Sequence, residues 1–97
     1  MAAVKIFTGF YMPNAFTPGN DGINDVFRIP PATTLSLKEF AVYDRWGTKL
    51  FSTINKETGW DGTFNGKKQR PGVYVYYIRS IINGLEVFTK GSVVLVR

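Results

Sequence analysis

Val73-Tyr74-Val75-Tyr76-Tyr77-Ile78-Arg79-Ser80-Ile81-Ile82-Asn83-Gly84-Leu85-Glu86-Val87-Phe88 is the run that decides the fold. Its first ten residues are rich in Val, Ile and Tyr, the residue types that pack best on a pleated surface. Pro71-Gly72 precedes them as a turn, and Asn83-Gly84 follows as a type I′ hairpin signal. Tyr74, Tyr76 and Ile78 fall on one face, and Val73, Val75 and Tyr77 on the other. Two largely apolar faces predict a central strand. Arg79 interrupts the second face, which places it near a sheet rim or against a carboxylate.

Outward from this run the pattern repeats. Lys38-Glu39-Phe40-Ala41-Val42-Tyr43-Asp44-Arg45 alternates, with Phe40 and Val42 facing one way and Ala41 and Tyr43 the other. Gly47 breaks it, and Lys49-Leu50-Phe51-Ser52 resumes it as a hairpin partner. Asn65-Gly66 is another type I′ signal. Residues 85–88 and 91–96 complete the chain, with Gly91 expected at a bulge or bend. No segment carries a sustained 3.6-residue apolar period, so no helix longer than about two turns is expected. About seven short strands, with turn signals every ~8 to 12 residues, predict an all-β, Ig-like antiparallel β-sandwich. A small closed barrel is the alternative.

Composition bounds the chemistry. The chain has 97 residues, enough for one domain, with 44% hydrophobic and 15% aromatic content to supply a core. It has no cysteine, so burial and hydrogen bonding carry its stability. It has no histidine, which removes the commonest general base and transition-metal ligand. Zinc and copper sites are thereby disfavoured. Ser36, Ser52, Ser80 and Ser92 have no histidine to activate them, and no phosphate-cradling glycine loop is present. The chain reads as a non-enzyme. Net charge is +5. A solvated surface accounts for that, and the sharper reading is an acidic partner. Lys67, Lys68 and Arg70 form the densest basic cluster, just past the Asn65-Gly66 turn. The cluster is too short, and the aromatics alternate too much like core residues, for nucleic acid.

The most ordered loop signal is Asn14-Ala15-Phe16-Thr17-Pro18-Gly19-Asn20-Asp21-Gly22-Ile23-Asn24-Asp25-Val26-Phe27. Asn and Asp bond their own backbone, and Gly accepts positive φ, so its middle is a tight polar loop. Phe16, Val26 and Phe27 pin it to a core. Asn20, Asp21, Asn24 and Asp25 carry the oxygen ligands calcium takes. Their spacing is not that of an EF-hand, and a network of Asx turns is the preferred reading, with no cofactor required. Trp46 and Trp60 each stand beside a turn glycine. Exposed, they would stack on sugar rings. Packing of the large indole favours burial of both as corner posts, each N–H on a backbone carbonyl. Asp61 is expected to fix the turn at Gly62.

Four blocks in this sequence resemble those of a known family. They are Pro13-Asn14-Ala15-Phe16-Thr17-Pro18 with its polar loop, Val42-Tyr43-Asp44-Arg45-Trp46-Gly47, Gly59-Trp60-Asp61-Gly62 followed by Gly66-Lys67 and Pro71-Gly72-Val73-Tyr74, and Lys90-Gly91 running to Leu95-Val96-Arg97. They resemble the gliding-motility-associated C-terminal domain, the type B sorting domain of type IX secretion. Asp44 stands where that family more often has Asn. The resemblance covers residues 11–97, which reads as the sorting domain. Residues 1–10 read as a linker from upstream cargo together with a first strand. Met1-Ala2-Ala3-Val4-Lys5 lacks the basic start and apolar run of a secretory leader, so a fragment from the end of a longer exported chain is expected. No apolar run approaches the ~20 residues of a membrane span.

The resemblance implies a non-catalytic signal that directs attached cargo through the type IX machinery at the outer membrane. The route runs through the periplasm to the cell surface or medium. Its implied recognition surface combines Asp21, Asn24 and Asp25, the turn at Arg45 and Trp46, and the last strand with Lys90, Gly91 and Arg97. That strand is expected to offer an unpaired edge for strand addition. An adhesive or carbohydrate-binding Ig-like module of a surface protein is the alternative.

Overall fold

The Asn-Gly dipeptides set the framework of the computed structural model, which describes residues 12–19, 25–31 and 33–97. Asn65 and Gly66 have φ of 54° and 78°, and Asn83 and Gly84 have 53° and 80°. Both pairs thus hold the positive φ values of a type I′ hairpin turn. The described residues form seven strands: β1 (Ala15–Phe16), β2 (Ser36–Tyr43), β3 (Lys49–Thr53), β4 (Thr63–Phe64), β5 (Lys67–Lys68), β6 (Gly72–Ile82) and β7 (Leu85–Leu95). Five form one sheet in the order β1-β7-β6-β2-β3, and β4-β5 is a separate hairpin. Among the described residues there is no helix, hence none long and apolar enough to cross a membrane.

The fold is all-β and sandwich-like. The β2-β3 and β6-β7 hairpins lie where alternation and turn chemistry put them, and β6 is central between β7 and β2. One pairing departs from the antiparallel rule: β1 runs parallel to β7, with Ala15 opposite Val94 and Phe16 opposite Leu95. The Val94 N–H donates to Asn14 O at 2.9 Å and the Val96 N–H to Phe16 O at 3.0 Å. A two-residue strand has no periodicity to read, so sequence pattern gives no sign of it.

The second layer is built from segments rather than from a full sheet. Phe27 and Trp60 form an isolated antiparallel bridge, with N–H to O distances of 2.8 and 2.9 Å. That bridge carries both rings onto the inner face of the large sheet. Phe27 meets Tyr76 at 5.2 Å and Phe40 at 5.6 Å between centroids. Trp60 meets Tyr74 at 5.0 Å in an edge-on contact. Phe16 touches both Phe27 and Trp60, so the two ends of the polar loop are tied to each other through aromatic rings. With Ile29, Val42, Ile78, Val93 and Leu95 these side chains make one core. Each large apolar side chain so buried contributes roughly 1.5–3 kcal/mol.

The outer face differs from expectation. Val73 is 52% exposed and Phe88 59%, and Val75 and Val94 also face solvent. Both faces of β6 are apolar, yet among the described residues a second layer lies on one side only. On the open side the Val and Tyr residues serve pleat packing across strands: Tyr77 and Phe88 stack at 5.9 Å. Arg79 pairs with the Glu86 carboxylate at 3.7 Å, the second of its two expected placements. It is not at a sheet edge, since Glu39 and Phe88 flank it on the neighbouring strands.

Candidate functional site

The quoted sequence blocks meet at one end of the large sheet, where β1 and β7 end, β2 ends and β6 begins. Asp44 organises the turn after β2. Its Oδ1 accepts the N–H groups of Trp46 and Thr48, both at 2.9 Å. Its backbone exchanges bonds with Thr48 and Gly47, and Gly47 takes φ of 87°, where a side chain would be strained. The result is a fixed turn that holds Arg45 and Trp46 outward. The Arg45 guanidinium lies 5.3 Å from the Trp46 ring centre.

Trp46 is 80% exposed, contrary to the expected burial. The physical reason is that no other segment of the described chain crosses over this turn, whereas Phe27 crosses over Trp60. Trp60 is 1% exposed, and its indole N–H donates to Thr63 O at 2.8 Å, as a corner post should. Asp61 accepts from the Thr63 N–H and hydroxyl, which fixes the turn at Gly62.

Gly62 joins three of the blocks. Its φ is 85°, and a Cβ there would come within 3.0 Å of Pro18 and of the Arg97 guanidinium. Arg97 donates from Nη2 to Gly62 O and from Nε to Gln69 O, each at 2.9 Å. The last residue is thereby clamped onto the β4-β5 region. Arg70 O accepts the Tyr74 hydroxyl at 2.7 Å. Burial pushes the Tyr74 phenol above its ordinary value of 10.0, opposed by the nearby charge of Arg97 and, more weakly, of Arg45 and Arg70, while Asp44 adds to the rise. Arg45 lies 3.7 Å from where a Gly72 Cβ would sit. Arg45, Arg70 and Arg97 therefore surround one phenol, with Lys67 and Lys68 on the adjoining hairpin.

Of the residues singled out in the sequence, the structure brings Arg45, Trp46 and Arg97 to this pole. Lys90 and Gly91 lie elsewhere, midway along β7 opposite Tyr77 and Tyr76. Gly91 is not at a bulge: the β6-β7 register runs through it unbroken. It is glycine for want of space, since a Cβ would meet the Tyr76 hydroxyl at 2.7 Å and ring carbon Cζ at 2.9 Å. Asp25 is half-buried two residues before the Phe27 bridge. Asn20, Asp21 and Asn24, and with them the calcium reading, lie outside the described residues. The end of β7 is not an open edge, because β1 covers it at Val94 and Leu95. Arg70 and Gly62 belong to the pole and were not marked for it. The basic run at residues 67–70 and the Trp-Asp-Gly turn were visible, but nothing local joins them to Arg45.

No curated protein and no solved structure matches the chain. The model of the CHU_C type IX secretion signal domain matches residues 10–95. That span takes in the polar loop, the Asp44 turn, the Trp60 turn and all of β7. With all of these elements inside one match, the chain belongs to the family of CHU_C type IX secretion signal domains.

Proposed function

We propose that this chain is a non-catalytic sorting domain that routes an attached cargo protein through the type IX machinery to the cell surface or medium, after passage across the periplasm. A type IX secretion signal implies export through that system, and the family match over residues 10–95 is the observation that carries the reading. Residues 11–97 form the signal, and residues 1–10 connect it to cargo upstream. The machinery reads the folded domain. Arg45, Trp46 and Arg97 present the main recognition surface at the pole, with Asp21, Asn24 and Asp25 in the polar loop and Lys90 and Gly91 on β7 as its further elements. Folded-domain recognition suits this chain because residues distant in sequence reach the pole only through the completed sheet.

The test is a fusion of residues 11–97 behind a leader-bearing passenger in a type IX-competent host. The passenger is expected outside the cell. A soluble, folded fusion that stays in the periplasm would overturn the sorting reading. The exposure of Trp46 favours one second reading, an adhesive module that stacks the indole on sugar rings. Retention of the isolated domain on an immobilised glycan, abolished by Trp46→Ala, would support it.

A further inference from the structure

We propose that the pole formed by Arg45, Trp46, Lys67, Lys68 and Arg70 is a docking surface for an acidic segment of a protein partner. The proposal rests on the sorting reading and names the chemistry of what is recognised.

Charge comes first. Five of the chain's twelve Lys and Arg residues stand here, Arg45, Arg70 and Arg97 around Tyr74 and Lys67 and Lys68 on the hairpin beside the Arg97 clamp. The turns they stand on carry the carboxylates of Asp44 and Asp61. Both carboxylates are already engaged by turn N–H groups. Of the ion pairs among the described residues, Arg79 with Glu86 lies toward the other end of β6 and β7, and Lys49, which starts β3 beside Tyr43, reaches back along the sheet to Glu39; neither involves Arg45, Lys67, Lys68 or Arg70. Arg45, Lys67, Lys68 and Arg70 are therefore exposed without a described carboxylate partner, while Arg97 donates to two carbonyls beside them. Such a concentration of one sign speeds encounter with the opposite sign and fixes its register.

Rigidity comes second. Arg45 and Trp46 stand on a turn held by four hydrogen bonds around Asp44. Arg70 follows the β5 strand, and its carbonyl is tied to the Tyr74 hydroxyl. The backbone under these side chains is thus already ordered, and the entropy left to lose on binding is that of the exposed side chains themselves. The third point is the mixture of groups. An exposed indole beside guanidinium groups is the composition of an interface anchor, because Trp and Arg dominate binding hot spots. Guanidinium forks take carboxylates in two parallel hydrogen bonds, while the indole covers apolar surface next to them. A glutamate- or aspartate-rich peptide with apolar neighbours satisfies both.

The test compares two variants of equal charge. Arg45→Ser/Arg70→Ser removes two cations at the pole, and Arg28→Ser/Lys38→Ser removes two exposed cations elsewhere. None of these side chains makes a hydrogen bond or ion pair given in the structure, so both variants are expected to fold, checked by circular dichroism. Binding is measured to an oligoglutamate peptide and, separately, to anionic phospholipid vesicles. The parent and the control variant should bind the peptide alike, and the pole variant at least roughly tenfold more weakly, with the difference shrinking as salt rises. Equal losses in both variants, or no binding by the parent, would overturn the proposal. So would pole-dependent binding to vesicles in preference to the peptide, which would assign the surface to a membrane. In the export assay, retention of the pole variant with export of the control supports the proposal. Export of both overturns it and leaves the sorting reading standing. Failure of the parent itself to export removes the sorting reading and the proposal with it.

Discussion

The two tryptophans occupy turns of nearly the same chemistry and meet opposite fates. Trp46 follows Asp44 and precedes Gly47, and Trp60 precedes Asp61 and Gly62. In both turns an aspartate accepts nearby N–H groups and a glycine takes positive φ. Yet Trp60 lies at the centre of the core while Trp46 stands in solvent. The difference is made by Phe27, which pairs with the backbone of Trp60, and by Phe16 and Tyr74, whose rings pack against the indole. A turn supplies geometry, and a distant strand decides which side of that geometry becomes interior. One turn thus became a structural post and the other an exposed surface.

The strongest way to break this comparison is Trp60→Ala. Removing a buried indole that contacts Phe16 and Tyr74 should cost about 3–5 kcal/mol. Against a total of ~5–15 kcal/mol that approaches unfolding. Urea denaturation followed by circular dichroism measures it. A loss below about 1 kcal/mol would show that Phe27 and Trp60 do not close the core.

Gly91 and Lys90 repeat the comparison one residue apart on β7, one facing the core and one facing solvent. Gly91→Ala must displace the Tyr76 ring, which is held against Phe27, and should cost ~1–3 kcal/mol. Lys90→Ala should stay within about 0.5 kcal/mol. Equal effects from the two would mean that the described second layer does not distinguish the faces of the sheet.

These cases also mark how far the sequence could be read. Both Asn-Gly turns and the strands they join are legible, because type I′ geometry demands those residues locally. The burial of Phe16 and Phe27 was legible as well, from large apolar residues framing a polar loop. Three features were not. The exposure of Trp46, the space demand at Gly91 and the β1-β7 pairing each depend on a partner that only the folded chain supplies. The pole was half legible: its residues stand in blocks that invite notice, but their meeting is a property of the sheet.

Arg97 shows the same limit on a smaller scale. As an isolated surface charge it would be replaceable at little cost. Its two bonds to Gly62 O and Gln69 O make it a clamp between β7 and the Trp60 turn. Hydrogen bonds from a charged group contribute ~1.5–3 kcal/mol when shielded, and exposure here reduces that. Arg97→Met should therefore cost about 1 kcal/mol, read as a lower urea midpoint with an unchanged slope. A loss of export in this variant would then need its stability measured before the terminus is taken as a contact.

The smallest effect belongs to Trp46 and tests the comparison most directly. Trp46→Ala removes a ring that is 80% exposed and whose described partner is Arg45. Loss of an exposed cation–π contact costs ~0.5–1 kcal/mol, and the freed arginine regains hydration that offsets part of it. The net change should stay below about 1 kcal/mol. Asp44→Ala should cost more, because it leaves the N–H groups of Trp46 and Thr48 without their acceptor and frees the turn itself. The expected order is thus the reverse of side-chain size: the small carboxylate matters to folding and the large indole does not. Fluorescence gives an independent reading. The Trp46→Phe variant leaves Trp60 as its single indole, and its emission should shift to the blue of the parent's. If instead Trp46→Ala destabilises the domain by 2 kcal/mol or more, the indole is packed against something, and the two turns are posts of the same kind.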